Sequence, residues 1–314
     1  MGGPERAPQA PRALRPGGAV ALRERCSHIR DPEMPPRPRH SSVRKYTRYL
    51  DGMGLADWHP MTRLVRVAAV GDVHCGKDSQ GVFQPLFAKM AESADVLVLC
   101  GDLTDYGLPE EARVLAREVS AVKVPILAVF GNHDLESGNA TEICTILTEA
   151  GIRVLDGDGV EIQGVGFAGV KGFAGGFGAR ALQSWGENVM KQFVREAVDE
   201  ALKLEAALAR LSTEQRVAIL HYAPIRDTVA TEPLEIIPFL GSSRLEEPLN
   251  RYHVVAAVHG HSHGGAPEGR TTTGVPVYNV ALPVLKREFP DRPPFRLLEI
   301  PVATDAAVPA GAAR

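Results

Sequence analysis

The chain has 314 residues, 44% hydrophobic and 23% charged, which is the composition of an ordinary globular domain with additions. Its formal net charge of -3 argues against nucleic acid as the main partner. No apolar run approaches the roughly 20 residues that span a bilayer, and the N-terminus lacks the charged-then-apolar order of a signal peptide, so a cytoplasmic location is expected.

Residues 1–60 are rich in Pro and Arg, with Pro32, Pro35, Pro36 and Pro38 close together, and show no sustained apolar period. Such a segment cannot bury enough surface to offset its ordering entropy and is expected to be a disordered leader. Met61-Thr62-Arg63-Leu64 then runs straight into a first strand. The expected domain covers 61–302, followed by a flexible Ala-rich tail over 303–314. The four cysteines, Cys26, Cys75, Cys100 and Cys144, form no CxxC pair, so neither a zinc knuckle nor a redox motif is suggested.

From Leu64 the pattern repeats as strand, loop, helix. Strand Val65–Val70 ends at Gly71, and Val82, Phe83, Leu86, Phe87 and Met90 recur at helical spacing over 80–93. Strand Asp95–Cys100 ends at Gly101, and a helix follows over Pro109–Val119, with its proline at the start and Glu110 and Glu111 in the first turn. Strand Pro125–Phe130 ends at Gly131, and Thr141–Ala150 reads as a helix capped by Thr141. Ile152–Leu155 is a short strand, with Gly159–Ala168 expected as its hairpin partner across Asp156-Gly157-Asp158-Gly159. Gln183–Leu211 is mostly helical, Val217–Leu220 is a buried strand ending at His221, and Ser243–Tyr252 is a helix interrupted near Pro248. Val254–Val258 runs into His259-Gly260-His261-Ser262-His263, and Val275–Ala281 and Phe295–Ile300 are late strands. Alternating strands and helices imply a central sheet covered by helices.

The apolar runs share one way of ending. Gly71-Asp72-Val73-His74, Gly101-Asp102, Gly131-Asn132-His133-Asp134, His221 and Gly260-His261-Ser262-His263 all follow buried strands. A glycine-aspartate pair alone is usually a turn, an isolated HxH is usually incidental, and a core histidine is usually just hydrogen-bonded; five such pieces in this order are not coincidence. Carboxylate with imidazole suits Mn, Fe, Zn, Co or Ni. There are too many donors for one ion, but two ions about 3.5–4 Å apart would use them, with Asp102 the central candidate for a bridge. A water held by such ions ionises near pH 7 rather than at about 15.7, which yields a hydroxide poised for attack. His133 is in position to protonate a leaving alkoxide, with Asp134 beside it to fix its tautomer.

These five blocks resemble those of the calcineurin-like metallophosphoesterases, over residues from about 64 to 300. The resemblance implies a four-layer α/β sandwich (αββα), with two packed mixed sheets flanked by helices and a dinuclear metal site at the strand ends. It implies that Asp72, His74, Asp102 and His263 hold one divalent ion and that Asp102, Asn132, His221 and His261 hold the other, with His133 as the catalytic histidine. Protein phosphatases of this superfamily carry Asp-Arg-Gly after the second block and lack the final GHxH. Here Tyr106-Gly107 follows Asp105 and GHxH is present, so the sequence looks more like phosphodiesterases and small-molecule phosphatases.

The expected activity is hydrolysis of a small-molecule phosphodiester such as a cyclic nucleotide. Alternatives are a phosphomonoesterase or pyrophosphate hydrolase, a nuclease, and a non-catalytic metal-binding scaffold. The region after residue 60 is acidic overall, which disfavours the nuclease. Gly164-Val165-Gly166-Phe167-Ala168-Gly169 matches a dinucleotide fingerprint, but more glycines follow where a helix must begin, so it reads instead as a strand leading into a loop. Lys171, Arg180 and Arg226 are candidates for contacting substrate phosphate.

Overall fold

The computed structural model describes residues 62–303; the leader and the tail beyond 303 lie outside the described residues. The first sheet contains β1 (Thr62–Val70), β2 (Val96–Cys100), β3 (Ile126–Val129), β4 (Ile152–Val154) and β11 (Arg296–Ala303), in the order β11-β1-β2-β3-β4. The second contains β5 (Asp158–Ile162), β6 (Val165–Gly169), β7 (Gln215–Ile219), β8 (Ala256–His259), β9 (Glu268–Arg270) and β10 (Pro276–Asn279), in the order β5-β6-β7-β8-β10-β9. β1 to β4 are parallel, as are β6, β7, β8 and β10, while β11, β5 and β9 run antiparallel on the edges. Both sheets are therefore mixed, as expected.

The period-two alternation of side chains explains why the second sheet is apolar on both faces. Val217 and Ile219 of β7, Phe167 of β6 and Val258 of β8 join Val65 and Val67 of β1 in one buried cluster between the sheets. The residues between them, Ala218, Ala168 and Ala257, turn outward to a second cluster with Leu204, Leu208 and Leu249. Those leucines belong to α4 (Asn188–Arg210) and α5 (Glu246–Arg251). On the first sheet, α1 (Gln84–Ser93), α2 (Pro109–Glu118) and α3 (Ala140–Glu149) bury Phe87, Met90, Leu115, Ile143 and Leu147. Pro248 does not interrupt α5. It lies in the first turn, where a backbone N–H has no partner in the helix. Among the described residues no helix is long and apolar enough to cross a membrane.

Two local readings need correction. β4 does not pair with the strand after it; it lies parallel to β3 in the first sheet. The chain then crosses to the second sheet, and 159–168 folds on itself as the β5–β6 hairpin across Gln163-Gly164. Both turn residues have positive φ, 52° and 84°, the backbone that a tight two-residue hairpin requires. The cap of α3 is Asn139 rather than Thr141, which lies one residue inside the helix. One helix, α6 (Leu282–Glu288), and strand β9 had no counterpart in the sequence reading.

Candidate metal centre

Each expected donor follows the C-terminal end of a strand. β1 leads to Asp72 and His74, β2 to Asp102, and β3 to Asn132 and His133; in the other sheet, β7 leads to His221 and β8 to His261 and His263. β1, β2 and β3 are neighbours in one sheet, and β7 and β8 in the other, so the five loops converge at one edge of the sandwich. Three groups of side chains have donor atoms within 4.8 Å of one another: Asp72, His74 and His263; His74, Asp102 and His133; and Asp102, His221 and His261. Asp102 and His74 each belong to two of them, so the groups form one continuous cluster. Asn132 completes it, with Oδ1 2.9 Å from His221 Nε2.

The backbone is strained where the donors are. Among the described residues six non-glycine residues have positive φ, and four of them are Asp72 (55°), His74 (45°), Asp102 (46°) and His261 (70°). Such conformations cost about 1–3 kcal/mol each and persist where the surrounding structure imposes them. Hydrogen bonds from backbone to carboxylate impose them here: His261 N–H donates to both Asp72 oxygens (2.9 and 3.0 Å), and His133 N–H to Asp102 Oδ1 (2.9 Å). Two glycines leave room for these carboxylates. A Cβ at Gly131 would lie 2.1 Å from Asp102 Oδ1, and one at Gly260 would lie 2.2 Å from Asp72 Oδ2.

The hydrogen-bond partners fix which imidazole nitrogens are available. His221 Nδ1 lies 3.0 Å from the Cys100 carbonyl, which can only accept, so the proton is assigned to Nδ1. The lone pair of its Nε2 then faces two oxygens, Asn132 Oδ1 at 2.9 Å and Asp102 Oδ1 at 3.4 Å. Three electron-rich atoms pointing at one another are satisfied by a cation. His74 repeats the logic: its Nδ1 lies 3.3 Å from Asp105 Oδ1, and its Nε2 is buried with no hydrogen-bond partner, 3.7 Å from Asp102 Oδ2. His261 Nε2 lies 3.3 Å from the Phe239 carbonyl. His263, the most exposed of the set, places Nε2 3.0 Å from Asp72 Oδ1.

The ionisation preferences fit the same chemistry. Burial raises the Asp72 carboxyl, but the His263 hydrogen bond and the charges of His221 and His263 outweigh it and hold the group below its ordinary value. Burial lowers His74 against the pull of Asp102 and Asp72, and burial with the neighbouring His221 pushes His261 down to about 3. An ionised Asp72 beside neutral His74 and His261 is a state that ligates metals, whereas His263, raised chiefly by its hydrogen bond to Asp72, must release a proton to do so. The residues thus fit two divalent ions sharing Asp102.

His133 and Asp134 take different places. The His133 ring packs edge-on to His74 with centroids 4.6 Å apart, and its Nδ1 lies 2.6 Å from the Asp105 carbonyl, so Nε2 is the nitrogen not engaged by that contact. Burial lowers its pKa, but the Asp105 hydrogen bond and the charges of Asp102 and Glu136 reverse this, and the net shift is upward. Asp134 makes no hydrogen bond to the His133 ring. It is fully buried, and its oxygens accept from the backbone of Leu103 (3.2 Å), Thr104 (2.8 Å) and Gly131 (2.8 Å) and from the Thr104 hydroxyl (2.6 Å). Burial and the charge of Asp102 push its carboxyl up to about 6 against those bonds. It ties the loop after β2 to the loop after β3, so it sets the position of Asp102 rather than the tautomer of His133.

The residue that orients His133 is Asp105, which the sequence reading passed over. Its carbonyl takes His133 Nδ1 and its carboxylate faces His74 Nδ1. The signal was present as a third carboxylate three residues after Asp102. An outer partner of this kind is worth about 10–100-fold in metal affinity. Asp105→Ala is therefore expected to weaken binding of a divalent ion by that factor, read by equilibrium dialysis, while the circular dichroism spectrum stays that of the parent.

Of the residues expected to contact substrate phosphate, Lys171 is engaged by its neighbours, and Arg180 and Arg226 share a groove. Lys171 Nζ donates to the Gly172 carbonyl (2.7 Å) and lies over the rings of Phe173 and Tyr222, at 4.8 and 5.3 Å from their centroids. Burial lowers its pKa against the pull of Glu200 and Glu196. Arg180 and Arg226 line one open groove of ≈ 470 Å³ with Arg270, Asp227 and Glu246.

A family model described as calcineurin-like phosphoesterase matches residues 65–265. The crystal structure of phosphopantetheinyl hydrolase from Mycobacterium tuberculosis is similar with a TM-score of 0.54 at 15% identity, covering 74% of this chain and 95% of that one. That of TT1561 from Thermus thermophilus gives a TM-score of 0.44 at 15% identity, covering 71% and 92%. No curated protein matches the chain. At these identities the likeness to solved structures is one of fold.

Proposed function

Because the chain belongs to the calcineurin-like phosphoesterases, and is thereby a metal-dependent phosphoester hydrolase, we propose that it acts on a small-molecule phosphodiester. Asp72, His74, Asp102 and His263 would hold one ion, and Asp102, Asn132, His221 and His261 the other. Imidazole, carboxylate and amide donors suit Mn, Fe or Zn. Two such ions, when bound, acidify a water and neutralise charge on the phosphoryl oxygens.

The chain's own residues do the rest. The two sheets hold their donors on rigid strand ends, so the site is set before substrate arrives. His133, with Nδ1 held by the Asp105 carbonyl, presents Nε2 to the departing oxygen and gives it a proton as the ester bond breaks. Asp134 keeps Asp102 in place beneath it.

One observation carries the diester reading. The basic side chains expected to meet the second negative charge of a phosphate monoester are engaged or line another groove. Lys171 is turned onto two aromatic rings, and Arg180 and Arg226 line a separate groove. Arg287 reaches the rim, but its guanidinium is occupied by the carbonyls of His263 and Gly265 and by Glu288. A diester, with one charge, leaves nothing unmatched. The test uses metal-stripped protein reloaded with manganese and given bis(p-nitrophenyl) phosphate beside p-nitrophenyl phosphate. Higher kcat/KM on the diester is expected; higher kcat/KM on the monoester would overturn the reading in favour of a phosphomonoesterase.

Gly131→Ala forces the added methyl into Asp102, which must shift. Displacement of about 1 Å at such a site costs about 100-fold in rate, and overpacking costs about 1–3 kcal/mol of stability. Both are expected, read as kcat/KM and as thermal midpoint.

A further inference from the structure

Beside the donor cluster lies a cavity of ≈ 300 Å³ that the hydrolytic chemistry does not use. The topology places it. Its floor comes from the C-terminal ends of β3 (Phe130), β4 (Leu155, Asp156) and β6 (Lys171). The donors follow β1, β2, β3, β7 and β8; β4 is the next strand beyond β3, and β6 the next beyond β7. The cavity is thus the flank of the metal centre, one strand over in both sheets. Leu135, two residues past His133, forms part of its wall, and the Lys171 carbonyl accepts the His221 N–H at 3.0 Å.

The lining has a definite chemistry. One wall is apolar, from Phe130, Leu135, Ala140 and Leu155. The other carries charge from α4 and its neighbours. Lys203 is spent between Glu200 (2.7 Å) and Asp156 (2.9 Å), and the other Glu200 oxygen accepts the Gly172 N–H (2.8 Å). Lys171 is spent on the Gly172 carbonyl and the two rings. Glu196 is left half-buried, with no hydrogen bond or ion pair among the described residues. Two lysines against three carboxylates leave the lining net negative.

We propose that this cavity receives the organic substituent of the substrate, and that it selects a compact apolar group bearing an amine or another hydrogen-bond donor over one bearing a carboxylate or phosphate, with Glu196 as the selecting residue. The volume is at the small end of ligand pockets and matches one ring or short chain, not a strand of nucleic acid. An apolar wall with one unpaired carboxylate rewards a donor that reaches it and penalises an anion brought beside it. This inference rests on the phosphodiesterase reading for its catalytic consequence but not for its binding readout.

The test measures affinity without requiring turnover. Benzyl(methyl)phosphinates carrying a 4-aminomethyl or a 4-carboxyl group, which contain no ester bond to cleave, are titrated calorimetrically into the manganese-loaded full chain. The amine is expected to bind at least about tenfold more tightly than the carboxylate. Glu196→Gln is expected to bring the ratio near one, and Glu196→Lys to invert it. Equal affinities in the parent, or an amine preference that survives Glu196→Gln, would overturn the cavity assignment even if the chromogenic diester is hydrolysed. An amine preference lost in Glu196→Gln, in a protein that hydrolyses neither chromogenic ester, would uphold the cavity and sink the phosphodiesterase reading instead.

Discussion

Asp102→Ala is expected to weaken both candidate metal sites at once, so that the chain retains at most one ion, weakly held. Asp102 is the carboxylate that belongs to the cluster with His74 and to the cluster with His221 and His261. Two divalent cations a few ångströms apart would need an anion between them, and among the described residues no other carboxylate lies in both clusters. Metal charge stabilisation is worth several kcal/mol of barrier, and each 1.36 kcal/mol is tenfold, so the loss of hydrolysis is about a thousandfold or more. The measurement is metal content by mass spectrometry of the purified variant, together with kcat/KM on the preferred ester. Because Asp102 Oδ1 also accepts the His133 N–H, the variant will melt at a lower temperature. Asp102→Asn, which keeps an oxygen for that hydrogen bond, separates the two effects: stability recovers while metal content does not. Two fully bound ions in either variant would refute the bridging role.

His133→Ala separates catalysis from metal binding. His133 lies within the cluster beside His74 and Asp102, but its Nδ1 is engaged by the Asp105 carbonyl and only Nε2 is left to act. General acid catalysis contributes about 10²–10⁴-fold, and that loss in kcat is expected with both ions still bound. The loss will also depend on the leaving group. An alkoxide needs the proton and a nitrophenolate hardly does, so the variant will be far more impaired on an alkyl ester than on a p-nitrophenyl ester. A uniform loss across both esters, or loss of one ion, would assign His133 to metal binding instead.

The sequence made the donors legible because of how parallel strands end. A buried strand shows as an unbroken apolar run, and the first polar residues after it must lie at the sheet edge. Asp72, Asp102, His133, His221 and His261 could therefore be read without knowing how the sheets pack. Outer partners were less legible, because their role depends on direction. Asp134 is adjacent to His133 in sequence yet turns to the amides of residues 103, 104 and 131, whereas Asp105, 28 residues away, holds the His133 ring. Lys171, Arg180 and Arg226 stand out by their charge and by a glycine-rich loop that could lie over the site, and neither says which way a long side chain leans; Lys171 leans onto Phe173 and Tyr222. The β5–β6 hairpin was misread because the turn at Asp156-Gly157 has the stronger turn composition, yet it serves as the crossover between sheets. α6 was missed because its seven residues, with Pro283 in the first turn, are too short to show a period.

The pairing of β1 with β11 has a consequence for how the protein is made. Thr62 faces Ala303 and Ala69 faces Arg296, so the strand that delivers Asp72 and His74 is completed by the last strand described. On a ribosome β1 emerges early and keeps an open antiparallel edge until nearly the whole domain has been synthesised. Contacts of such long sequence separation form slowly, and an unpaired hydrophobic edge is a template for pairing with other chains. The first sheet thus closes only after the second has been made, and the earliest donors wait for the final residues before their strand is fixed. A chain cut short before residue 296 is therefore expected to aggregate, read by light scattering, rather than to persist in solution.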